Sequence, residues 1–213
     1  MTTDKVTDAT VEPLTLADAK AHLRETLADA ANDAYITSLI TVARTTAEDR
    51  LQRTLTTTTW LLTLDQFPGS RYPQNPFQPH PLSLASVQRF PSAIALEYPP
   101  LISVDWVKYI DTAGAQQTLD PANYIVDAGQ QRGQLMPAYG QSWPVTQARI
   151  NAVTIQYKAG YGADASKVPP PIIQWIKLAL ADMYFQRRRS ANAPVVPHDF
   201  ADGLLMPYKV WSI

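Results

Sequence analysis

The stretch VTIQYKAGYG, residues 153–162, decides the fold together with the segment that follows it, ADASKVPPPIIQWIKLALADMY. Val153, Ile155 and Tyr157 alternate with polar residues, which is typical of a β-strand with one buried face. Three prolines then open an apolar segment, and prolines suit the first turn of a helix because the N–H they lack has no partner there. The pattern predicts a last β-strand joined to a C-terminal helix over residues 168–189.

The two glycines that end this strand admit two interpretations. GYGADA, residues 160–165, matches the dinucleotide-binding fingerprint in its final-alanine form, in which glycines open a helix whose amides meet a pyrophosphate. Here polar residues and three prolines separate the glycines from the helix, and a proline offers no amide donor. Asp182, the acid nearest the expected ribose-binding spacing, falls inside the predicted helix. We therefore interpret Gly160 and Gly162 as a turn without a ligand.

Two further helices are predicted near the start of the chain. Thr15, with Asp18 three residues later, forms a capping-box pattern that begins a short helix. A longer helix follows, with Asn32 or Asp33 as its cap, and its apolar residues recur at helical spacing. These residues are Ile36, Leu39, Ile40, Ala43, Ala47 and Leu51. The opposite face is charged and is interpreted as solvated. It comprises Arg44, Glu48, Asp49, Arg50 and Arg53.

The middle of the chain favours β-strands. TLTTTTWLLTLDQF combines β-branched residues with apolar alternation, and similar short patterns recur in AIALEYPP, LISVDWVKYI, AQQTLD, NYIVD and GQLMP. DTAG, residues 111–114, reads as a hairpin turn, because the alternative of an aspartic protease loop needs two aspartates that face each other. The proline-rich loop 68–93 is assigned no regular element. One antiparallel sheet between helices makes the predicted fold class α+β.

Composition excludes several classes of protein. The chain has 213 residues, a formal net charge of -1 and a pI near 6.3, so no global field draws it to nucleic acid or to an anionic membrane. It contains no cysteine, which removes disulfides, thiol nucleophiles and thiolate metal sites. We find no signal peptide and no apolar run long enough for a bilayer, so we expect a protein without a membrane partner.

No catalytic, cofactor-binding or metal-binding residues are predicted. The three histidines, His22, His80 and His198, have no partner at metal-ligand spacing. Ser83, Ser86 and Ser92 lie in the proline-rich loop, without the strand-turn-helix elbow of a serine nucleophile.

Arg187, Arg188 and Arg189 form the one concentrated positive charge. Cations at the C-terminal end of a helix are favoured by its dipole, which is a structural interpretation. Contact with DNA phosphates, independent of base sequence, is the functional interpretation. Both stay open. The second permits an alternative function for the chain, a cytoplasmic, non-catalytic module that contacts nucleic acid through these arginines.

A series of landmarks resembles the head-tail connector (adaptor) family of long-tailed bacteriophages and prophages. They are LTLADAKAHLR, LITVARTTAEDRLQRTLTTTTWLLTLDQFP, LEYPPLISVDWVKYIDTAGAQQTL, SWP, VTIQYKAGYG, VPPPIIQWIKLALADMYFQRR and LLMPYKV. The similarity extends from Pro13 to Val210, and the order and spacing of the landmarks carry it. The stretch RYPQNPFQPHPLSLASVQRF departs from the family pattern.

The resemblance implies a structural virion protein and not an enzyme. Members form a ring beneath the portal, commonly twelve-fold, that extends the channel for double-stranded DNA and provides a docking surface for stopper and tail completion proteins. The expected location is the virion neck, after synthesis in the host cytoplasm, with no cofactor. Arginines 187–189 become candidates for the channel wall.

The resemblance also implies a single connector domain over residues 1–213. N-terminal helices (13–55) and the C-terminal helix (168–189) form its helical core, the β-rich segment (56–160) is inserted between them, and an extended tail (190–213) reaches toward the portal. The candidate docking residues of that tail are Leu204, Leu205, Met206, Pro207, Tyr208, Val210 and Trp211.

Overall fold

A computed structural model describes residues 1–26, 29–69, 92–186 and 199–211, with the backbone alone at 199 and 200. The chain divides into two compact units. The β unit comprises Met1–Asp8, Thr58–Ala159 and Trp211–Ile213, and the helical unit comprises Ala9–Thr57 and Gly160–Val210. The predicted limits of the β-rich insert, 56 and 160, lie within two residues of this division.

The described residues of the helical unit form four α-helices and two 3-10 turns. The helices are α1 (Leu16–Leu23), α2 (Ala30–Leu51), α3 (Pro170–Phe185) and α4 (Asp199–Gly203), and the 3-10 turns are Ala165–Lys167 and Met206–Tyr208. No helix in the described ranges is both long enough and apolar enough to cross a membrane.

The N-terminal caps agree with the sequence analysis for one helix and disagree for the other. Thr15 caps α1, and its Oγ1 accepts a hydrogen bond from the Asp18 amide at 3.1 Å, as predicted. The cap predicted for α2, Asn32 or Asp33, is wrong. Asp29 caps this helix instead, because its Oδ1 accepts from the Ala31 amide at 3.0 Å and so begins the helix earlier.

The apolar stripe predicted for α2 is confirmed. Ile36, Leu39, Ile40, Ala43, Ala47 and Leu51 are all buried. They share the core of the helical unit with Ile172, Trp175, Ile176 and Leu180 of α3, and with Ala19 and Leu23 of α1.

The prediction that the charged face of α2 is solvated is wrong at two positions. Arg44 is 1% exposed and Glu48 is 9% exposed. Arg44 donates from Nη1 to Glu48 Oε2 and from Nε to Glu12 Oε2, both at 2.9 Å, and Glu48 Oε1 accepts from the Leu55 amide. The two charges can be buried because these contacts satisfy their hydrogen-bonding groups inside the protein.

Where a single sheet was predicted, the part of the β unit that the structure describes forms two antiparallel sheets. Its strands are β1 (Thr2–Thr7), β2 (Thr58–Leu64), β3 (Ile94–Ala95), β4 (Leu101–Ile110), β5 (Gln116–Thr118), β6 (Tyr124–Asp127), β7 (Gln134–Pro137) and β8 (Val153–Ala159). The orders are β1-β2-β8-β4-β5 and β3-β7-β6. A 3-10 turn over Pro121–Asn123 separates β5 of the first sheet from β6 of the second. Strand β1 was not predicted, because its residues are mostly exposed and show no apolar alternation.

The first sheet buries one face. Trp60, Leu62, Val107, Ile155 and Tyr157 pack in a core with Phe67 and Trp143, whose rings stack at 4.8 Å. The hairpin turn predicted at DTAG is confirmed, since Asp111 Oδ1 accepts from the amides of Ala113 and Ala115 at 2.9 Å each. A hydrogen bond from the Gln117 side chain, together with these amide bonds, holds the pKa of Asp111 below its usual value.

Candidate docking surface

The tail that the sequence analysis nominated is folded within the described range. A short helix, α4, precedes it, and Met206–Tyr208 form a 3-10 turn, so the prediction of an extended tail is wrong for these residues. We call residues 204–210 the tail turn. The turn contains both buried and exposed side chains: Leu205 and Val210 are 5% and 3% exposed, whereas Met206 is 54% exposed.

The remaining nominated residues lie between these extremes or outside the turn. Leu204 and Tyr208 are half-buried, and Pro207 is exposed. Trp211, which belongs to the β unit, is 57% exposed.

Two hydrogen bonds, each accepted by a main-chain carbonyl, fasten the tail turn to the C-terminal end of α2 and the residues that follow it. The Val210 amide donates to the carbonyl of Leu51 at 2.9 Å. Arg53 donates from Nε to the carbonyl of Tyr208. Leu205 and Ala201 belong to the core of the helical unit. The turn is therefore held at both ends, by apolar contacts before the Met-Pro pair and by hydrogen bonds after it.

A second set of contacts holds the residues just before the turn. Asp202 Oδ1 accepts hydrogen bonds from Arg50 and, at 3.2 Å, from Trp175 Nε1. The Arg50 guanidinium lies 5.1 Å from the centre of the Trp175 ring. Both ionic side chains are about half exposed, so their pairing adds little net stability. Its main effect is to fix where α4 leads into the turn.

Arg53 also contacts Tyr161, the residue between the two glycines. Burial of its ring raises the pKa of Tyr161, and the hydrogen bond and positive charge of Arg53 oppose that rise. The phenol therefore stays neutral around neutral pH. Arg53 links this phenol with the Tyr208 carbonyl, and thereby joins the segment after β8 to the tail turn.

The glycine pair is explained by backbone packing. Gly160 has φ +130°, and a Cβ there would lie 2.6 Å from the carbonyl carbon and oxygen of Thr56. The Tyr161 amide donates to the Leu55 carbonyl at 3.1 Å, and Thr57 donates to the Gly162 carbonyl at 3.2 Å. These contacts agree with the turn interpretation: the glycines let two backbone segments meet.

Several nominated residues lie outside the described ranges. Arg187, Arg188 and Arg189 are among them, as are His80, His198 and most of the proline-rich loop. Within the described ranges, no group of three or more His, Cys, Asp or Glu side chains could hold a metal ion.

Sequence reasoning missed the residues that hold the tail turn. Arg50 and Arg53 were assigned to a solvated face, and Asp202 was not singled out. No local pattern marks these contacts, since Arg50 and Asp202 are 152 positions apart. A weak signal was available in Trp175, because an indole N–H that is buried in a core needs an acceptor nearby.

A second exposed apolar set lies in the β unit. Tyr139 is fully exposed, and Val145 and Ile150 are 60% and 75% exposed. The loop that carries them is held from beneath by Trp143, whose Nε1 donates to the Ser92 carbonyl at 2.7 Å, and by the Gln147 amide, which donates to the Ile110 carbonyl. Ordered loops with exposed aromatic and aliphatic side chains are common at protein interfaces.

Comparison with known proteins gives a likeness in structure alone. No model of a known protein family and no curated protein sequence matches the chain. The fold is similar to a chain in the neck of an empty gene transfer agent (GTA) particle computed with C6 symmetry, with a TM-score of 0.75 and 21% identity. It is also similar to chains in the virion of a native GTA particle (TM-score 0.73, 20% identity) and in the neck of a native GTA particle computed with C12 symmetry (0.68, 21%).

Each match covers 100% of this chain and 97% of the other. The similarity is therefore one of the overall α+β fold and extends along the full length of the chain.

Proposed function

We propose that this protein is a structural subunit of the neck of a phage-like virion, a head-tail connector (adaptor). The observation that carries the proposal is the full-length match with a GTA neck chain, since an isolated shared domain would leave part of one chain unmatched. The ordered landmarks between Pro13 and Val210 support the same assignment from the sequence. Fold alone does not define function, so the proposal needs a test in an assembled particle.

The subunits form a closed ring in this proposal, with twelve copies as the expected number. Two of the similar neck structures were computed with C6 and C12 symmetry, which supports a cyclic assembly. A cyclic ring requires head-to-tail contacts between two different surfaces of each subunit. The exposed apolar side chains of the two units offer such surfaces.

The ring binds below the portal protein and receives the stopper or tail completion protein on its other side. The tail turn is the proposed contact with the portal. Double-stranded DNA passes through the ring, and Arg187, Arg188 and Arg189 are proposed to line the channel through sequence-independent phosphate contacts.

The proposed role requires no chemical step. The protein is made in the host cytoplasm, is incorporated into the virion neck, and acts without a cofactor. Binding energy comes from many repeated weak contacts in the ring.

Mixing the full chain with purified portal ring from the same particle tests this function. We expect a complex by size-exclusion chromatography, and electron micrograph class averages with a second ring on one end of the portal. Failure to bind the portal, together with absence of the chain from purified virions, would overturn the proposal. A salt-dependent shift of DNA by the chain alone, without portal binding, would favour the nucleic-acid module instead.

A further inference from the structure

We propose that neighbouring subunits join through a loop of the β unit and a groove of the helical unit. Residues 138–150 form the loop, called here the projecting loop, and its Tyr139 side chain enters the groove of the next copy of the chain. This inference rests on the proposed connector function. It names the two surfaces that a head-to-tail contact in a ring requires.

Tyr139 lies at the tip of the projecting loop, in a fixed turn. The Gln141 amide donates to the Ala138 carbonyl at 2.9 Å, which closes a four-residue turn. Gly140 supplies the positive φ, +75°, that the third position of a type II turn requires. The Tyr139 side chain is fully exposed. A large apolar ring thus projects from an ordered backbone, so little conformational entropy is lost when it docks.

The groove lies between α1, α3 and the 3-10 turn that precedes α3, and it has a volume of about 470 Å³. Pockets that bind small ligands usually have about 300–1,000 Å³. Pro13, Val168 and Ile173 contribute apolar walls, and Asp18 and Lys177 contribute one charge of each sign. A tyrosine side chain suits such a groove, because it joins an apolar ring to a polar hydroxyl.

Charge supports a second copy of the chain as the occupant. Arg149 is the one charged residue of the projecting loop, and it is exposed. In the groove, Asp18 is also exposed, and its Oδ2 accepts from the Thr15 hydroxyl at 2.7 Å. In the proposed contact Arg149 pairs with Oδ1 of Asp18, and Lys177 donates to the Tyr139 hydroxyl. Each charge of the groove then meets a complementary group.

The loop and the groove differ in shape, as the contacts of a ring require. A projection that fits a groove elsewhere on the same chain makes a head-to-tail contact, and such contacts close into a ring when the rotation between copies permits. Two of the similar neck structures were computed with cyclic symmetry. Copies related by rotation are therefore the expected neighbours.

Introduced cysteines test whether the loop and the groove of neighbouring copies meet. Gln141 is exposed in the projecting loop, and Gln174 is exposed at the groove. The chain has no cysteine of its own, so a short bis-maleimide reacts only with the two introduced thiols of each Q141C/Q174C chain. For rings assembled on a portal with alkylated cysteines, we expect a ladder of bands at multiples of 23.6 kDa on a denaturing gel.

Two controls establish the specificity of this ladder. A mixture of Q141C chains and Q174C chains has one thiol per chain, so it should give linked pairs and no longer species. Ile125 is 48% exposed elsewhere in the β unit, and the pair I125C/Q174C should give no ladder. Three results would overturn the inference: rings in micrographs without a ladder from Q141C/Q174C, an equal ladder from the control pair, or links to the portal instead.

Tyr139→Ser tests the contribution of the aromatic ring. We expect the chain concentration that half-fills the portal ring to rise about tenfold, because the group that fills the pocket is lost. Ile125→Thr is the matched control, since it removes apolar surface at another exposed position of the same unit, and it should leave that concentration unchanged. Equal concentrations for Tyr139→Ser and wild type would remove Tyr139 from the contact.

The two levels of the proposal fail differently. If wild-type chain does not bind portal, the connector function fails. If wild type forms rings on the portal but Q141C/Q174C gives no ladder, only the contact between loop and groove fails. Thermal unfolding of each variant, measured alongside, separates a lost contact from a lost fold.

Discussion

Inside the helical unit, the guanidinium of Arg44 donates to the carboxylate of Glu48 at 2.9 Å, and the arginine side chain is almost inaccessible to water. The same guanidinium donates to Glu12, which also accepts from Thr41 at 2.8 Å. One arginine therefore joins α2 to the segment that precedes α1. Through Glu48 and the Leu55 amide it also reaches the turn that follows α2.

Replacing Arg44 with Met should destabilise the helical unit strongly. The substitution keeps apolar volume but leaves the Glu48 carboxylate buried without its counter-ion, and removing one partner of a buried ion pair costs about 3–5 kcal/mol. Urea unfolding followed by far-ultraviolet circular dichroism measures the loss. Arg149→Met, at an exposed position of the β unit, is the control and should change stability by less than about 0.5 kcal/mol. Similar losses in both variants would contradict the role of the buried pair.

The helical spacing of apolar residues correctly predicted which side chains of α2 are buried, because this helix packs one continuous apolar face into the core. The same pattern misplaced Arg44 and Glu48, since charged residues on a helix are usually solvated and the partner that permits burial, Glu12, lies 32 positions away. The start of α2 was predicted too far along the chain for a related reason. Several capping residues lie within a few positions of one another, and side-chain geometry decides among them.

Strand patterns located most of the β unit but not its division into two sheets. Alternation shows that a strand has one buried face, and it carries no information on which strand is its neighbour. The edge strand β1 has no buried face to create a pattern. The tail turn depends on the Leu51 and Tyr208 carbonyls, and backbone acceptors of this kind leave no signature in the sequence.

The close approach at Gly160 predicts a severe effect of a single methyl group. In Gly160→Ala the new Cβ would meet the Thr56 carbonyl at 2.6 Å, in a backbone conformation with φ +130°. We expect a loss of about 3 kcal/mol or more, from overpacking and backbone strain together. Gly140→Ala is the matched control, because φ is +75° there and nothing lies within 4 Å of the added carbon. Its expected cost is only about 1 kcal/mol.

The same pair of variants tests the nucleotide interpretation of GYGADA. Wild-type chain should show no thermal stabilisation by dinucleotide or ATP, since ligands stabilise only a state that binds them. A rise in melting temperature that Gly160→Ala abolished and Gly140→Ala kept would reinstate a phosphate site.

Because the phenol of Tyr157 is buried, we expect the folded protein to lose stability at alkaline pH. Burial raises the pKa of its phenol well above the ordinary 10.0, and the hydroxyl donates to the Glu97 carbonyl at 2.9 Å. The folded state therefore keeps a proton that the unfolded state releases, so this contribution is complete below pH 10 and falls as pH rises further. Urea midpoints measured from pH 8 upward should decline above that point.

Two substitutions test whether Tyr157 causes the decline in stability at high pH. Tyr157→Phe should flatten the decline, at a cost of about 1 kcal/mol at neutral pH for the lost hydrogen bond. Tyr139→Phe changes a fully exposed side chain and should leave the slope as in wild type. A decline of equal steepness in both variants would show that other groups cause it.

Removal of residues 204–213 is the sharpest test of the tail turn as part of the helical unit. The deletion takes away the buried Leu205 and Val210 side chains, and full burial of such residues contributes about 1.5–3 kcal/mol each. Loss of portal attachment follows from the proposed docking role of the tail turn. The packing now predicts a substantial loss of stability as well. Truncated protein that unfolds at the wild-type urea concentration would show that the turn is peripheral, and Met206→Gln, which keeps both anchors, should leave that midpoint unchanged.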